Sequence, residues 1–220
     1  MLAGLAGVLS LDATAFFQSM ISRPLVAGIA AGAIVGDLGL GLVVGATLEL
    51  VWVGALPVGA AGFPDATSGA VVGTGVGWLL GGGGGDRAVA LFGGVVAGLV
   101  AGAVGRALVG LLRRANERYA ARALAKASEE DARGVGEAVA LGLLTRFGLG
   151  AALTAGFLWA WSGLPAGPPS SGNAYPALLW AAPLGAAAVA ARAKGAADRW
   201  LLAGGFGVGL VVTLAVRGGL

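Results

Sequence analysis

Three carboxylates, Asp37, Glu49 and Asp65, lie in the otherwise apolar stretch from 36 to 68, GDLGLGLVVGATLELVWVGALPVGAAGFPDATS. An ionised carboxylate in hydrocarbon costs about 2.5–3.5 kcal/mol on insertion scales, so such a group faces a polar cavity or a partner. Glu49 is the clearest case, standing roughly two helical turns or more from any other charge. Directly after it, Pro57, Gly59, Gly62 and Pro64 break the helix and free backbone groups that cannot be left bare in lipid. A broken helix beside buried carboxylates points to a polar ligand site. Its chemistry would be hydrogen bonding to the hydroxyls of a polyol or capture of a cation, and the residue types alone choose neither.

Asp12, Gln18, Arg23 and Thr67 join these carboxylates in the first third of the chain. Several have a structural alternative. Asp37 follows Gly36 at a helix junction and could cap the next helix. Arg23, before Pro24, could be an interfacial anchor or a counter-ion for Asp12. Asp65 follows Pro64 where a helix cap is expected, and it also borders the break opposite Glu49. For Glu49 a structural role would need a cationic partner, and Arg23 is the one nearby in sequence.

The elements that must position these groups are membrane helices. The 220 residues are 57% hydrophobic and 11% charged, with a mean hydropathy of +0.88, which excludes a soluble core of ordinary composition. No cleavage motif follows the short apolar start, so the N-terminus is expected to remain in the mature protein. There is no cysteine and no histidine, which removes a thiol nucleophile and the commonest phosphoryl acceptor and general base. No catalytic residue, cofactor or metal site is expected. The net charge of +3 comes from basic residues in loops between apolar spans, a pattern of membrane orientation rather than nucleic-acid binding.

Residues 1–11 are too short to span and lead into a broken or re-entrant first segment. Pro24 opens a helix with Gly28, Gly32 and Gly36 on one face, and a second short helix is predicted over about 38–56. An apolar stretch from 66 to about 80 leads to a glycine loop at 81–85, read as a flexible linker because no lysine-serine pair follows as a P-loop would need. The next span, about 88–112, carries Gly94, Gly98 and Gly102 at the same four-residue spacing. Residues 113–137 are the long polar stretch, predicted to be a helical arm on the cytoplasmic side by the positive-inside rule. Further spans are predicted over about 138–162, 175–191 and 200–216, with Arg192, Lys194 and Arg199 in a second cytoplasmic loop, and Trp159, Trp161, Trp180 and Trp200 near the membrane interfaces. The organisation is therefore a core region at 1–112 with broken helices, a polar arm at 113–137 and C-terminal spans at 138–220. The fold class is all-α, a polytopic integral membrane protein with a core plus scaffold arrangement.

Within this chain the landmarks Arg23-Pro24, Gly36-Asp37, Gly45-Ala-Thr-Leu-Glu49 and Gly62-Phe-Pro-Asp65-Ala occur in an order and spacing that resembles the mannose-sorbose family of bacterial phosphotransferase-system sugar permeases, specifically the enzyme IIC subunit. Similarity is best over residues 1–75. The resemblance implies a multi-pass inner-membrane subunit that pairs with a IID membrane subunit, draws phosphoryl groups from soluble IIA and IIB proteins, and assembles into a higher oligomer of IIC-IID pairs. It also implies import of a hexose, hexosamine or related sugar coupled to phosphorylation on a partner, through an elevator-like movement of the core. By the same analogy Asp12, Gln18, Glu49, Asp65 and Thr67 stand near the sugar, while Arg23 and Asp37 are structural or capping. High alanine and glycine content, the 81–85 loop and the proline-rich 163–174 loop depart from the family pattern. They keep open a non-transporting regulatory or assembly homologue; behind it stands a small-solute or ion channel built on the buried carboxylates.

Overall fold

The computed structural model describes residues 1–14, 19–52, 63–81, 86–126 and 133–162, all within a compact unit of Met1–Gly167. They form six helices: α1 (Leu2–Thr14), α2 (Pro24–Val35), α3 (Leu38–Trp52), α4 (Ala66–Gly81), α5 (Arg87–Lys126) and α6 (Arg133–Ser162), with no strand among the described residues. The chain is all-α, as its hydropathy predicts. Gln18, the break at 57–62, the loop positions 82–85, the centre of the polar arm at 127–132 and everything from 163 onward, with its two predicted spans and second basic loop, lie outside the described residues.

Local sequence explains the α2–α3 turn. Pro24 occupies the first turn of α2, where its fixed φ and missing amide cost nothing. The helix ends at Gly36, whose φ of 81° is left-handed, and the Asp37 amide donates to the Gly32 carbonyl at 2.8 Å. This is a Schellman closure, which favours glycine. Asp37 then caps α3, its carboxylate accepting from the Leu40 amide at 2.8 Å, and it also ion-pairs with Arg87 at the start of α5. The two helices run antiparallel with their backbones touching: a Cβ on Gly28 would lie 2.5 Å from the Gly41 oxygen and 2.8 Å from the Gly45 Cα. Gly28 and Gly32 thus form the packing face that their spacing predicts, whereas Gly36 makes the turn and stands in open space.

Helix α4 is the centre of the bundle. Every residue from Thr67 to Gly77 is buried, and α4 touches each of the other five helices. A helix apolar on all sides belongs in such a place. Gly69, Gly73 and Gly77 bring it against the carbonyls of Gly98, Gly94 and Ala90 on α5, where added Cβ atoms would fall within 2.6–2.7 Å of oxygen. A second antiparallel glycine seam results. Leu40, Val44 and Leu48 of α3 fill one side of the core with Val71, and Val72 and Val76 face Ala97, Ala101 and Trp161 on another. Trp161 therefore packs inside, while Trp159 is 80% exposed.

Helix lengths separate two kinds of element. At 1.5 Å per residue α2 and α3 are only about 18 and 22 Å long, short of a hydrocarbon core of about 30 Å. Arg87–Ala121 of α5 and Gly134–Ser162 of α6 are long and apolar enough to cross a membrane. The polar residues from Arg113 to Lys126 continue α5 without a break.

Candidate functional site

A cavity of about 280 Å³ opens where the N-termini of α2 and α4 meet α3, α5 and α6. Its wall includes Arg23, Glu49, Trp52, Phe63, Asp65, Thr67, Arg113 and Arg146. Two of the three carboxylates in the 36–68 stretch, Glu49 and Asp65, reach it, and Asp37 is spent on the α3 cap.

Glu49 projects from α3 onto the start of α2. One oxygen accepts from the Arg23 guanidinium at 3.3 Å and the other from the Leu25 amide at 3.3 Å. A carboxylate at a helix N-terminus satisfies an orphan amide and opposes the positive end of the dipole. Arg23 is thus the partner of Glu49 rather than of Asp12. Two accepted bonds leave about two of the roughly four acceptor positions of Glu49 open.

Asp65 begins α4 as a cap, accepting from the Ser68 amide at 3.4 Å and the Ser68 hydroxyl at 3.0 Å. It also receives a two-pronged contact from Arg146 of α6, at 3.0 and 3.3 Å. Both side chains are almost wholly enclosed, at 7% exposure for Arg146 and 2% for Asp65. Four donors fill the acceptor positions of Asp65, so this carboxylate is saturated. Helix α5 admits it by lacking side chains there: the Asp65 amide donates to the Gly102 oxygen at 3.0 Å, and a Cβ on Gly105 would sit 2.5 Å from the Asp65 Cβ.

Asp12 and Thr67 hold the turn that delivers Ser22 and Arg23 to the wall. Asp12 accepts from the Ser19 amide and hydroxyl, each at 2.7 Å, and from the Ser22 amide at 3.1 Å. The Thr67 hydroxyl donates to the Ser22 carbonyl at 2.7 Å. Met20 within that turn has a φ of 67°, a left-handed conformation uncommon outside glycine that the Asp12 bonds over-determine. Asp12 is not part of the cavity wall, although its neighbour Ala13 is.

Arg146 is the residue that attention to the first third of the chain misses. Its signal is present in sequence: one arginine inside ALGLLTRFGLGAALTAGF, an isolated intramembrane charge of the kind that singles out Glu49. Buried polar groups therefore extend beyond the first third of the chain, where the sequence reading gathers its candidates: Arg146 and Thr154 of α6 are 6% and 0% exposed.

Short helices whose N-termini converge on a charged cavity, packed beside two helices long and apolar enough to cross a membrane, give an all-α arrangement of the membrane-protein class. The chain belongs to the family described as the PTS system sorbose-specific IIC component, whose model matches residues 1–166. It is also similar to the putative N-acetylgalactosamine permease IIC component 2 of Escherichia coli (strain K12), with 46% identity over 52 residues, 24% of this chain. That match spans 39% of the relative's length.

Proposed function

We propose that this chain is the sugar-binding and translocating IIC subunit of a mannose-family phosphotransferase system in the inner membrane, importing a hexose or hexosamine that is phosphorylated by a IIB partner. The observation that carries the proposal is the cavity between the α2 and α4 N-termini, where Glu49 with open acceptor positions shares the wall with Trp52 and Phe63. A sugar offers hydroxyl donors on its rim and C–H faces to aromatic walls, so that lining suits it. In this reading Glu49 accepts hydroxyls directly. Asp65 positions Arg146, and Asp12 and Thr67 hold the Ser22–Arg23 turn. Arg23 and Asp37 serve as structural partners of Glu49 and α3.

A IID-type membrane subunit completes the pathway, and soluble IIA and IIB proteins supply phosphoryl groups. Purified with its IID partner, the chain should bind a hexose or hexosamine saturably, and cells lacking IIB should bind but not accumulate it. Failure to bind any hexose, hexosamine or pentitol overturns the proposal.

A further inference from the structure

Helix α3 meets the α4–α5 glycine seam with one stripe of side chains at four-residue spacing: Leu40, Val44, Leu48 and Trp52. Leu40 lies 3.3 Å from the Cβ position of Gly77, Val44 lies 3.1 and 3.2 Å from those of Gly73 and Gly94, and Leu48 lies 2.7 Å from that of Gly98. Trp52 takes the last notch. Its Cη2, at the tip of the six-membered ring, stands 2.8 Å from the Cβ positions of both Gly69 on α4 and Gly102 on α5. Real Cβ atoms essentially never come so close, so the indole as it stands requires glycine at both positions.

The first three of these side chains are fully buried and only pack. Trp52 differs: it is partly buried, it ends α3, and it lines the cavity together with Glu49, three residues before it on the same helix. A leucine is enough to fill a notch of this kind, as Leu48 does at Gly98. The indole exceeds that need, and with its tip held between two backbones it has little freedom to change rotamer.

The face of an indole is electron-rich and attracts polarised C–H bonds. A pyranose offers several such bonds side by side on a rigid ring, with its hydroxyls around the edge. An open-chain polyol must freeze its torsions before it can present a comparable face. We infer that Trp52 is the residue by which this site selects a pyranose ring over an open-chain polyol, with Gly69 and Gly102 as its positioning residues. The inference rests on reading this cavity as the sugar site and narrows the substrate to a cyclic sugar, whose face lies on Trp52 while Glu49 accepts hydroxyls at its rim.

The test uses the full chain co-purified with its membrane partner in phosphatidylcholine nanodiscs. Calorimetry measures binding of glucose, mannose, galactose, N-acetylglucosamine and N-acetylgalactosamine, each against the alditol made by reducing it, which keeps the remaining configuration and loses the ring. At least one sugar should bind more tightly than its own alditol. Trp52→Leu should lower that ratio about two- to tenfold, the scale of one aromatic contact, and Trp52→Phe should retain most of it. Gly102→Ala is the cleaner probe of the notch, because a Cβ at Gly69 also meets the Gly98 oxygen at 2.7 Å. It should lower the ratio as Trp52→Leu does, and the two changes combined should do no more than either alone. Tryptophan emission supplies a readout that a packing role would not move: saturating sugar should alter the emission of the wild type, and the change should be lost in Trp52→Phe. That measurement decides the matter if Trp52→Leu and Gly102→Ala do not assemble. Equal affinity for sugar and alditol, a ratio unchanged in Trp52→Leu, or the same sugar-induced emission change in Trp52→Phe overturns the platform and leaves the sugar site at Glu49 standing. A ratio lowered by Trp52→Leu but not by Gly102→Ala overturns the role of the glycines. Failure to bind any of these sugars strikes at the sugar site itself and takes the platform with it.

Discussion

Glu49 and Asp65 are both carboxylates at helix N-termini, yet their surroundings assign them different work. Glu49 is paired with an arginine whose side chain is 55% exposed, and such a pair contributes only about 0–1 kcal/mol to stability. Glu49→Gln should therefore shift thermal unfolding in detergent little while weakening sugar binding about ten- to a hundredfold, the scale of one charge-assisted hydrogen bond. Normal uptake at normal membrane abundance would remove Glu49 from the site. Asp65 and Arg146 behave oppositely. Removing either partner of a buried pair strands the other, at about 3–5 kcal/mol. Arg146→Met alone should lower protein abundance and unfolding temperature sharply, and the double variant Asp65→Leu, Arg146→Met should recover much of that loss. A double variant no better than the single one would show that the pair is not an isolated electrostatic unit.

At the scale of elements, glycines perform two separable tasks. Gly105 has no room for a methyl group because Asp65 occupies the space. Gly105→Ala should push Asp65 from Arg146, cost about 1–3 kcal/mol as overpacking does, and abolish sugar binding with it. Gly36 faces open space, and its restriction is the left-handed φ of 81°. Gly36→Ala should cost about 1–2 kcal/mol from backbone strain and leave sugar affinity unchanged once folded protein is selected. Unfolding and binding measured on both variants distinguish the two tasks. The four-residue spacing at 28 and 32 and at 94 and 98 was legible as a packing face. Which glycines met which helix was not, and the matching face at 69, 73 and 77 on α4 becomes meaningful only once α5 lies against it.

At the scale of the molecule, α4 is enclosed by its neighbours, while α6 leaves Val139, Leu144 and Trp159 at 57%, 68% and 80% exposure. That apolar surface suits lipid or a membrane partner. Arg146 reaches the cavity from α6, so this chain supplies more of the site's enclosure than its first third alone would. A IID-type partner, which the family resemblance implies, would have this exposed apolar surface to pack against. Co-expression with that subunit should raise the abundance of this chain and its sugar binding together, measured by quantitative membrane extraction and ligand binding. A monodisperse, sugar-binding preparation of the chain by itself would refute the need for a partner.

Hydropathy and punctuation by themselves determined the membrane character, the helical class and the α2–α3 turn at Gly36-Asp37, and they singled out Glu49 and Asp65 as isolated charges. These are local properties: an apolar run must satisfy its own backbone, a proline or glycine sets the conformation where it stands, and an isolated charge is costly wherever it is buried. Only the tertiary structure decided who meets whom. It gave Arg23 to Glu49, turned Asp12 toward Ser19 and Ser22, and joined Asp65 to an arginine 81 residues away in sequence. Such pairings depend on how α4, α5 and α6 pack around their glycines, and no spacing within a single helix encodes the distance to a residue on another.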